Sequence, residues 1–244
     1  MSSVDSGALL SWQRSVSEAC KKGDEQTIQD LLREGVTEYP KEAYKDVLRK
    51  ALSQAVGGRH DSLVQLLLRQ GADPNALSDT GVPAIHRAAS LGKESNVKTL
   101  LEHGAEIDVR DKNKQTAIFT AAQHNHVRTL RLLLDAKADV NARDVVGRTV
   151  LILLAAEKPE NRKPDKSKPE KQVNTKLVEL REEIIQTLLA SPLDLEAKDK
   201  EERTALLWAA STGKDTLIRY FLDSVYVPLH ECPPYAMANA NRAL

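Results

Sequence analysis

The chain has 244 residues and no net charge, because 35 Lys plus Arg residues balance 35 Asp plus Glu residues. Nucleic-acid binders and membrane-surface binders usually carry an excess of positive charge, so this balance argues against both as the main function. No run of about eighteen apolar residues is present that could span a bilayer.

The first part of the chain predicts two helix pairs. Residues 1–13 are expected to form an N-terminal tail or cap, in which Trp12 packs on the helices that follow. From residue 14 onward, apolar residues recur at three- and four-residue spacing, which is typical of helices with one buried face. The first pair covers about 14–38, with Gly35 expected to end its second helix, and the second pair covers about 44–77.

The third and fourth units, about 79–109 and 111–142, are the most regular. The interval from Gly71 to Gly104 equals the interval from Gly104 to Lys137, which stands at the same point of the pattern. In the other copies glycine at this point is expected to end the helix in a left-handed turn, and Lys137 stands in its place. A fixed internal period of this kind indicates a repeat protein.

The fifth unit is interrupted. Its first helix is expected to end at about Ala156, and its second, at 177–189, begins twenty-two residues late. We predict a disordered insertion at about 157–175, since a proline at every fifth position and dense mixed charge oppose both a helix and a packed core. A sixth unit starts near Asp199, and 226–244 is interpreted as a C-terminal cap or a truncated stub.

These repeats resemble the ankyrin-repeat family, whose period of about 33 residues is also the interval from Gly71 to Gly104. The family's Thr-Pro-Leu-His-x-Ala-Ala start is echoed by PAIHRAA at 83–89, TAIFTAA at 116–122 and TALLWAA at 204–210. The resemblance implies an all-α ankyrin-repeat solenoid over 14–225, with about six helix-turn-helix units joined by short β-hairpin-like connections. Phe119 and Leu207 replace the family's usual histidine and are expected to fill the core.

The resemblance also implies a non-catalytic interaction module, a scaffold or adaptor that binds a protein or peptide on a concave groove of hairpin tips and first helices. Carried onto this chain, the partner-binding positions are Arg87, Leu91, Lys112, Lys114, Gln115, Gln123, His124, Val145, Val146, Arg148, Leu153, Arg203 and Trp208. Trp208 is the strongest candidate, because tryptophan is enriched at binding hot spots; simple packing against Leu153 has equal weight. The basic tips fit an acidic partner with an apolar anchor.

Other chemistry is weakly supported. The segments 91–95 and 212–216 imitate phosphate loops but lack their earlier glycine. His124 and His126 stand two residues apart, a spacing at which rings on one helix diverge. We therefore predict no catalytic residue, no metal and no cofactor.

Two other functions stay open. The chain could be the targeting or regulatory domain of a larger enzyme, or, with less support, a nucleic-acid or acidic-surface binder that uses the lysine-rich insertion. The N-terminus lacks the basic start and long apolar core of a signal peptide. Cys20 and Cys232 lie far apart in sequence, and Cys20 occupies a core position, which argues against a disulfide framework. We therefore expect a cytoplasmic or nuclear location.

Overall fold

A computed structural model describes residues 6–58, 60–157, 170–214 and 217–221, without the side chains of 170–178. Most of the predicted insertion and the predicted C-terminal cap or stub at 226–244 lie outside these residues. The chain divides into two compact units, Met1–Lys112 and Asn113–Leu244.

The described part of the chain is helical. In chain order its helices are α1 (Ser6–Lys22), α2 (Glu25–Glu38), α3 (Lys41–Gly57), α4 (Asp61–Arg69), α5 (Ala84–Ser90), α6 (Glu94–Glu102), α7 (Ala117–Gln123), α8 (Val127–Asp135), α9 (Val150–Ala156), α10 (Glu170–Leu189) and α11 (Ala205–Thr212). Residues 217–221 are also helical, and an isolated antiparallel bridge joins Leu77 to Pro83. The predicted all-α class is confirmed.

The helix pair α7–α8 shows why the sequence folds in this way. The small residues Ala121 and Ala122 on α7 are fully buried, which lets the neighbouring helices approach closely. On α8, Leu130 and Leu133 are fully buried while Arg131 between them is exposed, as a three- and four-residue spacing requires. The two helices pack against each other.

Within each compact unit, helix pairs stack on one another. In Met1–Lys112, α1 packs on α2 and α3, α3 on α4 and α5, and α4 on α6. In Asn113–Leu244, α7 packs on α9, α9 on α11, and α8 on α10. First helices therefore stack on first helices and second helices on second helices, so that each pair buries its apolar faces against the next.

The repeat period is visible in the backbone. Gly81, Lys114 and Gly147 have φ values of 75°, 57° and 84° at successive hairpin tips. Glu202, with φ 59°, repeats the conformation at the next tip, which the inserted residues of the fifth unit delay. Lys137 has φ 70° at the end of α8, in the same left-handed region as Gly71 and Gly104, whose φ is 88°.

Asparagine side chains tie consecutive hairpins together in each unit. The Asn141 amide accepts a 2.8 Å hydrogen bond from Asp194 N and donates a 3.0 Å bond to Pro192 O. Asn75 makes the equivalent pair with Glu106 N at 2.8 Å and Gly104 O at 3.3 Å. Each carboxamide thus satisfies one backbone donor and one backbone acceptor of the following repeat.

The N-terminal helices differ from the prediction. Helix α1 begins at Ser6, so the segment expected to be a tail or a cap is helical from that residue on, with Trp12 buried. Gly35 does not end α2 but lies inside it, where a Cβ would stand 2.1 Å from Cζ2 of Trp12. Glycine is thus required here by the close approach of the indole, and the expectation that it marks a helix end was wrong.

Two further expectations need correction. Helix α10 begins at Glu170, seven residues before the predicted start at Leu177, so 170–175 is helical rather than disordered. Leu207, expected in the core, is 55% exposed, whereas Phe119 is fully buried as expected. No helix in the described part of the chain is long and apolar enough to cross a membrane.

Candidate protein-interaction surface

The hairpin tip of the fifth repeat is built around a buried carboxylate. Asp144 is 5% exposed, and its Oδ1 accepts hydrogen bonds of 2.9 Å from the backbone N–H groups of both Val146 and Arg148. Its Oδ2 accepts from Nε and Nη2 of Arg148, at 3.0 and 2.8 Å. A carboxylate with four such donors fixes the turn and holds Val145 and Val146 at its outer edge.

The tip of the sixth repeat uses the same device at Asp199. Its Oδ1 accepts from Glu201 N at 2.9 Å and Arg203 N at 3.0 Å, and its Oδ2 accepts from Nε1 of Trp208 at 2.8 Å. Burial opposes ionisation, but these hydrogen bonds and the nearby Arg203 guanidinium outweigh it and hold the pKa of the Asp199 carboxyl below its ordinary value.

Trp208 is held within its own repeat. Besides its hydrogen bond to Asp199, the indole is covered by the Arg203 guanidinium, whose Cζ lies 3.6 Å from the ring centroid. The ring is half-buried, and Leu153 on the neighbouring α9 is 5% exposed. These contacts give Trp208 a structural role in its own hairpin, whereas its packing against Leu153 and a direct role in binding stay predictions.

Adjacent tips in Asn113–Leu244 are joined by backbone hydrogen bonds. Val145 N donates to Asn113 O at 2.8 Å, and Lys200 N donates to Val146 O at 3.0 Å. The tips therefore form one edge, called the tip edge below, whose backbone is joined by hydrogen bonds. On this edge the Val145 side chain is 45% exposed and Val146 is half-exposed.

The basic residues predicted at the tips of this unit fall into two groups. Arg148 and Arg203 are half-buried and make ion pairs with the aspartates of their own hairpins. Arg203 also pairs with Glu201. Lys114 is exposed beside the tip edge, so the most solvent-exposed of these three positive charges lies at Lys114 rather than at the two arginines.

Two predicted surface residues are buried. Gln115 is 7% exposed and Leu153 is 5% exposed, so neither can present its side chain to a partner without a rearrangement. Gln115 precedes α7 by two residues, and Leu153 lies in the middle of α9, which packs on both α7 and α11. We therefore exclude both residues from the candidate surface.

The end of α7 carries two predicted residues that remain accessible. Gln123 is half-exposed, and His124 is exposed with its Nδ1 2.9 Å from Thr120 O.

The rings of His124 and His126 are parallel to within 3°, and their centroids are 6.2 Å apart, so the expectation that they diverge was wrong. His126 lies in the turn before α8, where the rotation of a single helix does not apply. Among the described residues, no three His, Cys, Asp or Glu side chains are grouped to hold a metal ion.

Three predicted positions lie in Met1–Lys112. Arg87, Leu91 and Lys112 are all exposed, Leu91 by 42%.

Next to Arg87 on α5, His86 is 3% exposed, and its Nε2 lies 2.8 Å from Val109 O. Burial lowers the pKa of His86, against the hydrogen bond to Val109 and the charge of Asp111, so the neutral ring holds the hairpin to α5.

The two segments that imitate phosphate loops have a structural use that the sequence analysis missed. Lys93 Nζ donates to Gly58 O at 2.5 Å, at the C-terminus of α3, and to Asp61 at 3.1 Å. Lys214 Nζ donates to Leu154 O on α9 in the same way. A lysine at a helix C-terminus satisfies carbonyls that lack a partner within the helix. Both ammonium groups are therefore used to cap a helix of the preceding repeat.

The helix pair with a hairpin tip, repeated at a constant interval, defines a repeat protein of the ankyrin type. Residues 85–134 match the family model described as ankyrin repeats (many copies), and residues 50–79 match the model of the ankyrin repeat. No curated protein matches the chain. These matches identify ankyrin repeats at 50–79 and 85–134, and ankyrin repeats generally serve protein–protein interaction.

Proposed function

We propose that the chain is a non-catalytic scaffold or adaptor that binds a protein or peptide through the hairpin tips and first helices. The observation that carries this proposal is the pair Val145 and Val146 at a rigid tip. Val145 exposes 45% of its surface in a position where the other tips carry charged residues, Asp79, Lys112 and Lys200. An apolar side chain held in solvent by a hydrogen-bonded turn is suited to a partner contact.

The charges around the two valines indicate the chemistry of the partner. Lys114 is exposed beside the same edge, next to Asn113, whose carbonyl oxygen accepts the hydrogen bond from Val145 N. Arg148 is half-buried against Asp144, so Lys114 presents the more exposed positive charge of the two. A partner with one apolar side chain against Val145 and a carboxylate near Lys114 would complement this edge.

The carboxylates at the tips support a non-catalytic function. Asp144 and Asp199 accept hydrogen bonds from backbone N–H groups and from side chains of their own hairpins. A general base needs an oxygen lone pair directed at a substrate, whereas these oxygens are directed into the turn. Their role is to shape the tips.

We place this function in the cytoplasm or the nucleus. Cys20, buried in α1, carries a free thiol, as is usual for proteins of reducing compartments. Burial raises the pKa of this thiol to about 11, which keeps it protonated at neutral pH.

The test is affinity capture from a lysate of the source cell, with quantitative mass spectrometry of the retained proteins. Val145→Asp removes the apolar contact and adds a charge that repels an acidic partner. Val36→Asp is its control, because Val36 is 58% exposed but lies within α2, a second helix, rather than at a hairpin tip. Lys114→Asn removes the charge, and Lys137→Asn is its control, because both lysines are exposed with positive φ. Asparagine tolerates that conformation, so neither change strains the backbone.

We expect wild type and both controls to retain the same partner, Val145→Asp to lose it, and Lys114→Asn to retain less of it. If Val145→Asp captures the same proteins in the same amounts as wild type, the tip edge is not the binding surface. Material that nuclease treatment releases from every form would indicate nucleic-acid binding instead.

A further inference from the structure

Helix α11 exposes an apolar face. Leu206 is 38% exposed and Leu207 is 55% exposed, and Ala210, one turn further on, is exposed as well. Three apolar residues on one short helix are an unfavourable surface to leave in water.

The same positions are buried in the two preceding repeats of this unit. Counted from the threonine that starts each first helix, Leu151 and Ile152 of α9 correspond to Leu206 and Leu207, and they are 1% and 0% exposed. Their counterparts on α7, Ile118 and Phe119, are fully buried. The positions are therefore stacking positions, and their exposure on α11 is a departure from the repeat.

The difference has a direct cause in the packing. Helix α9 covers α7, and α11 covers α9, so each first helix is shielded by the next. In the part of the chain that the structure describes, which ends at Phe221, no first helix follows α11. The face of α11 that corresponds to the buried faces of α7 and α9 thus lacks the cover that they have.

We propose that residues 222–244 of the same chain cover this face as a C-terminal cap. More than half of this segment is Ala, Val, Leu, Met, Tyr or Cys, and its only acidic or basic side chains besides His230 are Asp223, Glu231 and Arg242. By contrast, more than half of the insertion at 158–169 is charged, and none of it is aliphatic or aromatic apart from proline. Only the first of these two segments has the composition to replace a missing apolar neighbour.

The connection of the segment also favours it over a separate molecule. Phe221 is 4% exposed in the helical stretch 217–221, so the chain leaves from within the sixth repeat itself. The segment 222–244 can extend far beyond the length of α11, an eight-residue helix of roughly 12 Å. A tethered segment acts at an effective concentration in the millimolar range, which a second copy or a partner seldom reaches.

The cap is separate from the proposed function, since it involves the last stacking face and not the hairpin tips. It predicts that Leu207 contacts 222–244 in the monomer. The direct test replaces Leu207 in the full chain by the photoreactive residue benzoylphenylalanine and maps the cross-links by mass spectrometry. The control carries the same residue at Val36, which is exposed on α2 in the other compact unit.

The expected result is cross-linking from position 207 to 222–244 within one molecule, at a yield independent of protein concentration and absent from the control. A yield that rises with concentration and joins two copies would overturn the proposal and indicate self-association. Cross-links confined to other parts of the chain, or none above the control, would overturn it as well.

A double-mutant cycle in the full chain provides a second measurement. Leu207→Ser is combined with a triple replacement of Val227, Leu229 and Tyr235 by serine, and the thermal midpoint is measured for each form. If the segment covers α11, the triple replacement should lower the thermal midpoint by several degrees when Leu207 is present. It should lower the midpoint by much less in a chain that already carries Leu207→Ser. Equal shifts in both backgrounds would show that the face and the segment do not interact.

Discussion

The close approach of Gly35 to Trp12 gives the sharpest prediction about stability. A Cβ at Gly35 would lie 2.1, 2.6 and 2.9 Å from Cζ2, Cε2 and Cη2 of the indole. The indole cannot move aside easily, because it is 5% exposed, stacks on Tyr39 with centroids 4.6 Å apart, and donates a 2.8 Å hydrogen bond to Leu31 O. Gly35→Ala must therefore displace a fixed, buried ring.

Overpacking of a core costs about 1–3 kcal/mol, and loss of the indole hydrogen bond adds about 1 kcal/mol. Alanine returns up to about 1 kcal/mol through its higher helix propensity. We expect Gly35→Ala to destabilise the protein by about 2 kcal/mol. Gly57→Ala is the matched control, since the atoms nearest to its Cβ belong to the flexible guanidinium of Arg87, at 2.8 Å or more. It should be neutral or slightly stabilising.

The assay is urea unfolding followed by far-UV circular dichroism, which reports on the helices of the chain and is unaffected by replacement of the tryptophan. The Trp12→Phe background removes the part of the ring that meets the new Cβ, so Gly35→Ala should cost much less there. The reasoning is refuted if Gly35→Ala is no more harmful than Gly57→Ala, or if its cost is unchanged beside Trp12→Phe.

Three further predictions concern single residues. Burial holds the pKa of His86 below its ordinary 6.5, so the unfolded chain takes up the proton first. Wild type should lose stability as the pH falls below about 6.5, and His86→Asn should lose less over the same window; parallel pH curves would contradict this. Lys137→Gly should raise the free energy of unfolding by up to about 1 kcal/mol by relieving its positive φ, while Ala136→Gly should lower it by about 1 kcal/mol; equal effects in urea titrations would be inconsistent with a left-handed Lys137. Trp208→Phe should destabilise by about 2 kcal/mol because buried Asp199 loses a donor, and an unchanged thermal midpoint would show that this bond is unimportant.

The sequence was sufficient to predict features that repeat. The spacing of Gly71, Gly104 and Lys137 predicted where α8 ends, because residues one period apart have the same local environment. A period carries this information without any knowledge of distant contacts.

The errors occurred where a contact distant in sequence decides the outcome. Gly35 matched the pattern of a helix end, but its neighbour Trp12 belongs to the preceding helix, α1, and lets α2 continue to Glu38. Leu153 occupies a first-helix position that resembles a surface, yet the stacking of α9 between α7 and α11 buries it. In both cases the packing of neighbouring helices, and not the local pattern, fixed the environment.

The candidate surface was only partly predictable for a similar reason. The resemblance to ankyrin repeats indicated the tip residues, and Val145 and Lys114 are indeed accessible. It could not indicate that Arg148 is paired with Asp144, or that Trp208 donates to Asp199, because both depend on the geometry of the turn. Because of these internal contacts, we propose that a partner is recognised at Val145 and Val146 of the tip edge rather than at Trp208.

The most direct test of this account is the dissociation constant of one captured partner for wild type and the variants, measured by isothermal titration calorimetry. We expect Val145→Asp to weaken binding at least about tenfold, or roughly 1.4 kcal/mol, and Lys114→Asn to weaken it less, with a smaller dependence on salt. Val36→Asp and Lys137→Asn should bind like wild type. Wild-type affinity in Val145→Asp, or an equal loss in Val36→Asp, would contradict recognition through the hairpin tips.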